Sequence, residues 1–179
     1  MKTKEITSQV IKCNTEWQHR LAIGTPTTGL VRVEWVMARF GQLMPTNWSH
    51  VDFMEYMHTI APLRYSVADA QNIIVKNAIE REVEWLLLIE QDNVLPANAF
   101  IRLNQYMIKR DTPVVSGLYF TKTEPPEPMI YREMGRGYYD QWEMGDKVWA
   151  SGIPTGTFLS HMSIIRSMWN ESEEYEVDG

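Results

Sequence analysis

At 179 residues, with 44% hydrophobic composition that includes seven Trp and eleven Met, the chain is sized for one domain with a substantial core, which argues against disorder. Its formal charge of -6, with Lys and Arg scattered along the chain, leaves no basic footprint for a nucleic-acid backbone. A single cysteine, Cys13, excludes an intrachain disulfide and suits a reducing compartment; with neither a signal-peptide core at the start nor any run near ~18 apolar residues, a cytoplasmic protein without a membrane span is expected.

Residues 1–18 are weakly patterned and read as a leader, residues 19–170 as a single domain, and residues 171–179 as an acidic tail. Arg20 to Thr25 is a short buried strand, broken by the loop Gly24-Thr25-Pro26-Thr27-Thr28-Gly29. Val33, Val36, Met37, Phe40 and Met44 then recur at helical spacing, predicting a helix that buries this face and stops before Pro45. The loop lacks the Lys-Ser/Thr of a P-loop and the Rossmann glycine triplet. Small residues there let a ligand approach the backbone, while Thr27 or Thr28 capping the helix explains them equally well.

Ser49 to Tyr56 alternates weakly and predicts a second strand flanked by His50 and His58, neither of which has a metal-ligand partner at useful spacing. Ser66-Val67-Ala68-Asp69 has capping-box form and opens a helix to about Glu82. Ala70, Ile73, Ile74 and Ala78 form its buried stripe; Asp69, Asn72 and Lys76 share another face. That polar stripe is either solvated or lines a site; capping fully accounts for Asp69, whereas Asn72 inside the first two turns is less readily explained.

The run from Trp85 to Ile89 is unbroken apolar sequence that ends abruptly at Glu90-Gln91-Asp92. Such a run predicts a strand buried on both faces that delivers two carboxylates to its C-terminal end, where open α/β sheets bind ligands. Each carboxylate must stay solvated, accept hydrogen bonds or hold a cation. The bland alternative is a polar strand end, with Asp92 capping the turn toward Pro96.

Pro96-Ala97-Asn98 starts a helix with Phe100, Leu103 and Met107 on one face and Lys109-Arg110 in its last turn. Pro113 to Phe120 predicts a further strand, in which Gly117 suggests close approach of a backbone or ligand. A proline-rich loop, residues 121–128, leads to the alternating piece Met129 to Arg132 and then to a loop rich in glycine and aromatic residues, with Tyr138, Tyr139 and Trp142. Val148 to Ile153 predicts a last strand, and Phe158 to Trp169 a strand followed by helix. Five of the last nine residues are acidic, the pattern of a solvated, frayed end. Strand and helix alternate through about residue 120, which argues an α/β three-layer α/β/α sandwich with a mostly parallel sheet. Right-handed crossovers would then set the first strand's end, the Glu90–Asp92 turn and Gly117 along one edge.

The stretch Trp85-Leu-Leu-Leu-Ile-Glu90-Gln91-Asp92-Asn-Val-Leu-Pro96 resembles the strand and Asp-x-Asp motif of the Rossmann-like GT-A fold glycosyltransferases of the family-2-like bacterial and phage group. Supporting pieces follow in order: Ile23 to Thr27 is similar to that family's first strand and nucleotide loop, Asp69-Ala-Gln-Asn72 to its Ala-Arg-Asn turn, and Val114 to Phe120, with Pro126 and Pro128 to Tyr131, to the segment after its metal motif. Glu90 stands where the family has Asp, Gln71 where Arg is common, and the family's later Glu-Asp box and metal-binding His have no counterpart, as in a truncated or minimal member. The resemblance implies a metal-dependent transfer of sugar from a nucleotide-diphosphate sugar to a hydroxyl acceptor such as a carbohydrate or glycan. It implies Mn²⁺ or Mg²⁺ on Asp92 and Glu90, and a donor bordered by Thr25, Pro26, Asp69, Asn72, Gln91 and Gly117. Asp140, Asp146 and the tail acids are the candidate general bases. The alternative is a non-catalytic nucleotide-sugar or carbohydrate-binding module that uses the same cleft and the aromatic residues Tyr138, Tyr139 and Trp142.

Overall fold

A computed structural model describes residues 19–48 and 65–175. The expected leader, the strand predicted from Ser49 to Tyr56, and both His50 and His58 lie outside those residues. In chain order the elements are β1 (Leu21–Gly24), α1 (Val33–Phe40), α2 (Val67–Glu80), β2 (Trp85–Ile89), α3 (Ala99–Lys109), β3 (Val114–Ser116), β4 (Thr157–His161) and α4 (Met162–Glu171).

The five apolar residues of β2 have no polar side chain to offer water, and all five are buried. They sit inside a four-stranded sheet of order β1-β2-β4-β3. Alternation along the strands sorts the core into two layers. Leu21, Ile23, Trp85, Leu87, Ile89 and Leu159 face α3 through Phe100, Leu103 and Met107; Ala22, Leu86 and Leu88 face α2 and α4 through Ile74, Ala78 and Met162. Each such fully buried leucine or isoleucine contributes about 2 kcal/mol of transfer free energy. Helices therefore cover both faces of the sheet, and the chain is an α/β protein with four helices and four strands among the described residues.

The sheet is mixed, which corrects the expectation of a mostly parallel one. β1 and β2 pair in parallel, but β4 runs antiparallel to both of its neighbours, β2 and β3. The last strand thus inserts between β2 and β3 instead of extending an edge. β1, β2 and β3 still point one way, so their C-terminal ends and the start of β4 share one edge of the sheet. The strand expected from Val148 to Ile153 does not form; Tyr131 meets only Gly152 there in an isolated bridge.

Helix α1 also departs from expectation. Its buried residues are Trp35 and Arg39, whereas Val33, Met37 and Phe40 are exposed. The Arg39 guanidinium lies 5.1 Å over the Phe100 ring, and burial lowers its pKa to about 10. A long cationic side chain here spends its stem and its planar head on the core, a role that apolar periodicity cannot foresee. Helix α2 follows the reading closely: Ser66 is its N-cap, accepting from the Asp69 backbone N–H, and Ala70, Ile74 and Ala78 are buried. A Cβ on Gly24 would collide with Ile74, so the bare glycine is what lets β1 and α2 approach this closely. Among the described residues no helix is long and apolar enough to cross a membrane.

The base of the sheet is tied by Glu84, which accepts from His19 Nδ1 and Arg110 Nη2, each at 2.9 Å. Burial pushes the Glu84 carboxyl up, but the hydrogen bond from His19 and the charges of His19, Arg110 and His161 outweigh it and hold the group below its usual range. A carboxylate lowered in the folded state stabilises above its unfolded pKa and loses that contribution as pH falls through the folded value. Glu84→Gln should therefore cost about 1 kcal/mol near neutrality. The gap from wild type should close below about pH 4, as read by urea denaturation across a pH series.

Candidate functional site

The polar residues that follow Ile89 emerge where the strand leaves the sheet. The Glu90 N–H donates to the Gly156 carbonyl at 2.9 Å, extending the β2–β4 pairing by one step, and its own carbonyl accepts from Trp35 Nε1 at 2.8 Å. These two bonds fix the Glu90 backbone between β4 and α1. Burial and the nearby charge of Asp92 push the Glu90 pKa up, against the opposing influence of the Thr155 hydroxyl and Lys122.

Asp92 is about half exposed, and its Oδ2 lies 2.9 Å from Lys122 Nζ. Lys122 belongs to the loop after β3, folded back by the Phe120–Pro128 bridge and by the Met129 N–H on the Tyr119 carbonyl. Tyr119 places its hydroxyl oxygen 2.6 Å from the Gly156 N–H, with its pKa raised by burial and by the charges of Glu90 and Asp92, against the bond from Gly156. Tyr119, Lys122, Trp35 and Thr155 are the site residues that sequence reasoning missed. The proline-rich stretch signalled a loop there, but nothing in its composition says that the loop returns to Asp92.

Gln91 has a different role from the donor contact implied by the resemblance. Its Oε1 accepts from Thr27 Oγ1 at 2.7 Å and from the Thr28 N–H at 2.8 Å, and its Nε2 donates to Thr28 Oγ1 at 3.1 Å. The amide clamps the loop after β1 onto the end of β2. Thr27 and Thr28 consequently do not cap α1, whose N-cap is Arg32 with no side-chain cap bond. Thr25 is half-buried beside them and Pro26 is buried.

Asp69 and Asn72 sit at the start of α2. The Ser66 hydroxyl donates to Asp69 Oδ2 at 2.6 Å, and Tyr175 of the tail donates its hydroxyl to Asp69 Oδ1 at 3.1 Å while accepting from Asn72 Nδ2. The C-terminal stretch, expected to fray, thus reaches both residues. Gln71, between them on α2, donates from Nε2 to Thr155 Oγ1 at 3.1 Å, and Thr155 in turn acts on the Glu90 carboxyl. Gly117, one step past β3, donates its N–H to the Thr157 carbonyl at 2.9 Å.

Ile153 and Pro154, just before Thr155, line a groove of about 560 Å³ that also includes Gly117, Trp142, Asp146 and Lys147. Tyr138 and Tyr139 fall in a separate hollow of about 430 Å³ with Arg132, so the aromatic residues grouped by the sequence divide between two surfaces. Asp146 is tied to its own loop, its Oδ2 accepting from the Glu143 N–H at 2.9 Å.

Among the described residues no cluster of three or more His, Cys, Asp and Glu side chains could cage a metal. The donor set at the mouth is two carboxylates, Glu90 and Asp92. It fits a hard divalent cation that takes its remaining ligands from phosphate oxygens and water, the usual habit of Mg²⁺ with phosphorylated substrates. It does not fit a structural site closed by protein alone.

No protein-family model matches the chain, and no curated protein matches it. Among solved structures, the crystal structure of A197 from STIV, a viral protein, is similar in fold, with a TM-score of 0.54 and 18% sequence identity over 82% of this chain and 67% of that one. At that identity the likeness concerns the fold alone.

Gly156 is the tightest point of the mouth: a Cβ there would collide with Asn93 Nδ2 and come within 2.6 Å of the Tyr119 hydroxyl. Gly156→Ala should cost about 1 to 3 kcal/mol by overpacking. Tyr119→Phe, which only removes the acceptor for the Gly156 N–H, should cost about 1 kcal/mol. Chemical denaturation of both variants checks the order, and a Gly156→Ala variant as stable as wild type would contradict the packing described.

Proposed function

We propose that the chain is a glycosyltransferase of GT-A type that binds a nucleotide-diphosphate sugar at the C-terminal end of β2 and transfers the sugar to a hydroxyl acceptor. The observation that carries this reading is the placement of Glu90 and Asp92. They stand at the end of a strand buried on both faces, beside the loop that follows the parallel strand β1, at the edge where α/β sheets take phosphorylated ligands.

In this reading Asp92, with help from Glu90, holds Mn²⁺ or Mg²⁺; when bound, the cation neutralises charge on the leaving nucleoside diphosphate. The chain's own contributions are positional. Trp35 and Gly156 fix the Glu90 backbone, and Gln91 fixes the nucleotide-side loop through Thr27 and Thr28. Thr155, held by Gln71 of α2, favours the charged form of Glu90, and the first turns of α2 carry Asp69 and Asn72. The groove lined by Gly117, Ile153 and Pro154 is the surface this reading gives to the acceptor.

A second reading, a binding module without turnover, is favoured by one observation. Asp146, a candidate general base, is held within its own loop instead of being aimed at the acidic pair. Release of nucleoside diphosphate from a sugar nucleotide, compared with and without added acceptor, separates the two.

Titration calorimetry with UDP and GDP, in Mn²⁺ and then in EDTA, tests the donor site. One nucleotide should bind the wild type with a metal-dependent component, and Asp92→Ala should weaken that component at least about tenfold while leaving the fold intact by circular dichroism. Failure of both nucleotides to bind the folded wild type would sink the donor-site reading.

A further inference from the structure

The contact between Lys122 and Asp92 is unusual in how it is supplied. The loop carrying Lys122 closes on itself without that side chain: the Thr121 N–H donates to the Glu127 carbonyl at 2.9 Å, the Glu127 N–H to Thr121 Oγ1 at 2.9 Å, and Thr123 Oγ1 to the Pro125 carbonyl at 3.0 Å. Tyr119, three residues before Lys122, anchors the same loop to the Gly156 N–H. Lys122 is therefore carried by a framed loop to Asp92, the first of the two carboxylates that the donor reading assigns to the metal. Its side chain is 88% exposed, and an ion pair that exposed adds little to folding stability. Nothing in the packing requires an ammonium there.

The surrounding charges sharpen the point. Lys122 feels the negative fields of Asp92 and Glu90 and the positive field of Arg32, which stands at the N-cap of α1. Two carboxylates thus lie within the field of Lys122, while Arg32 is paired with Glu34 at 3.7 Å on the exposed start of α1. That arrangement suits a ligand carrying several negative charges of its own, since the ammonium can turn to it once a metal satisfies the acids. A lysine head is a compact point charge on a flexible stem, suited to a move of this kind.

We infer that Lys122 is the resident cation of the donor site: it occupies on Asp92 the place a divalent ion takes, and it turns its ammonium onto the diphosphate of the incoming nucleotide. This rests on the donor-site reading and adds two consequences to it. Metal and ammonium compete for Asp92 in the free protein. Part of the diphosphate affinity is independent of metal.

The test titrates the full chain and its Lys122→Ala and Lys122→Arg variants with Mn²⁺ alone, and separately with UDP and inorganic pyrophosphate in EDTA. Lys122→Ala should bind Mn²⁺ at least about threefold more tightly than wild type, because the competing charge is gone. It should bind UDP and pyrophosphate in EDTA about tenfold more weakly, the loss expected for one charge-assisted hydrogen bond. Lys122→Arg should stay within about threefold of wild type for both anions. Unchanged affinity of Lys122→Ala in either titration overturns the assignment of Lys122 while leaving the donor site standing if wild type binds UDP. A wild type that binds neither UDP nor pyrophosphate, with Mn²⁺ or without, overturns the donor site and the inference with it.

Discussion

Strand β2 has no solvent face. With helices against both sides and a strand paired along each edge, its five residues can only be apolar, and polarity can begin only where the strand leaves the sheet. That constraint puts Glu90, Gln91 and Asp92 together at the mouth. It also makes the mouth rigid, because the strand feeding it is held in register with β4 from Trp85 to Ile89 and with β1 from Trp85 to Leu88.

The three residues then divide the work. Glu90 is held through its backbone, Gln91 is used up by the loop after β1, and only Asp92 keeps a carboxylate turned to the surface with an exposed lysine on it. A motif that reads as three adjacent polar residues is in space one anchor, one clamp and one outward-facing charge. The clamp has electrostatic value too: a neutral amide satisfies two hydroxyls and a backbone N–H without adding a third negative charge beside a carboxyl already pushed up by its neighbour.

Local pattern was a good guide wherever one element decides its own burial. The apolar run of β2, the capping box of α2 and the Phe100, Leu103 and Met107 face of α3 all took the form their spacing requires. It failed where the outcome depends on a distant partner. The antiparallel insertion of β4 is invisible to periodicity, which reports faces and not neighbours. The buried side of α1 was misread because Arg39 packs its guanidinium on Phe100 while three apolar residues face outward. At the mouth, the acidic residues were visible as the end of an apolar run, but Lys122, Tyr119 and Thr155 arrive from segments 27 to 65 residues further along the chain, and only loop closure brings them there.

The direction of β4 has one more consequence. Because β4 starts at the mouth and runs away from it, α4 must travel back, and the chain after it comes to lie against the first turn of α2, where Tyr175 meets Asp69 and Asn72. Whatever is joined to the chain beyond that point is tethered within a few residues of the opening, at the raised effective concentration that a short linker imposes. A label or fusion attached at this end would sit beside the first turn of α2, whereas one attached in the turn after α2, at Arg81 or Glu82, would sit at the opposite edge of the sheet.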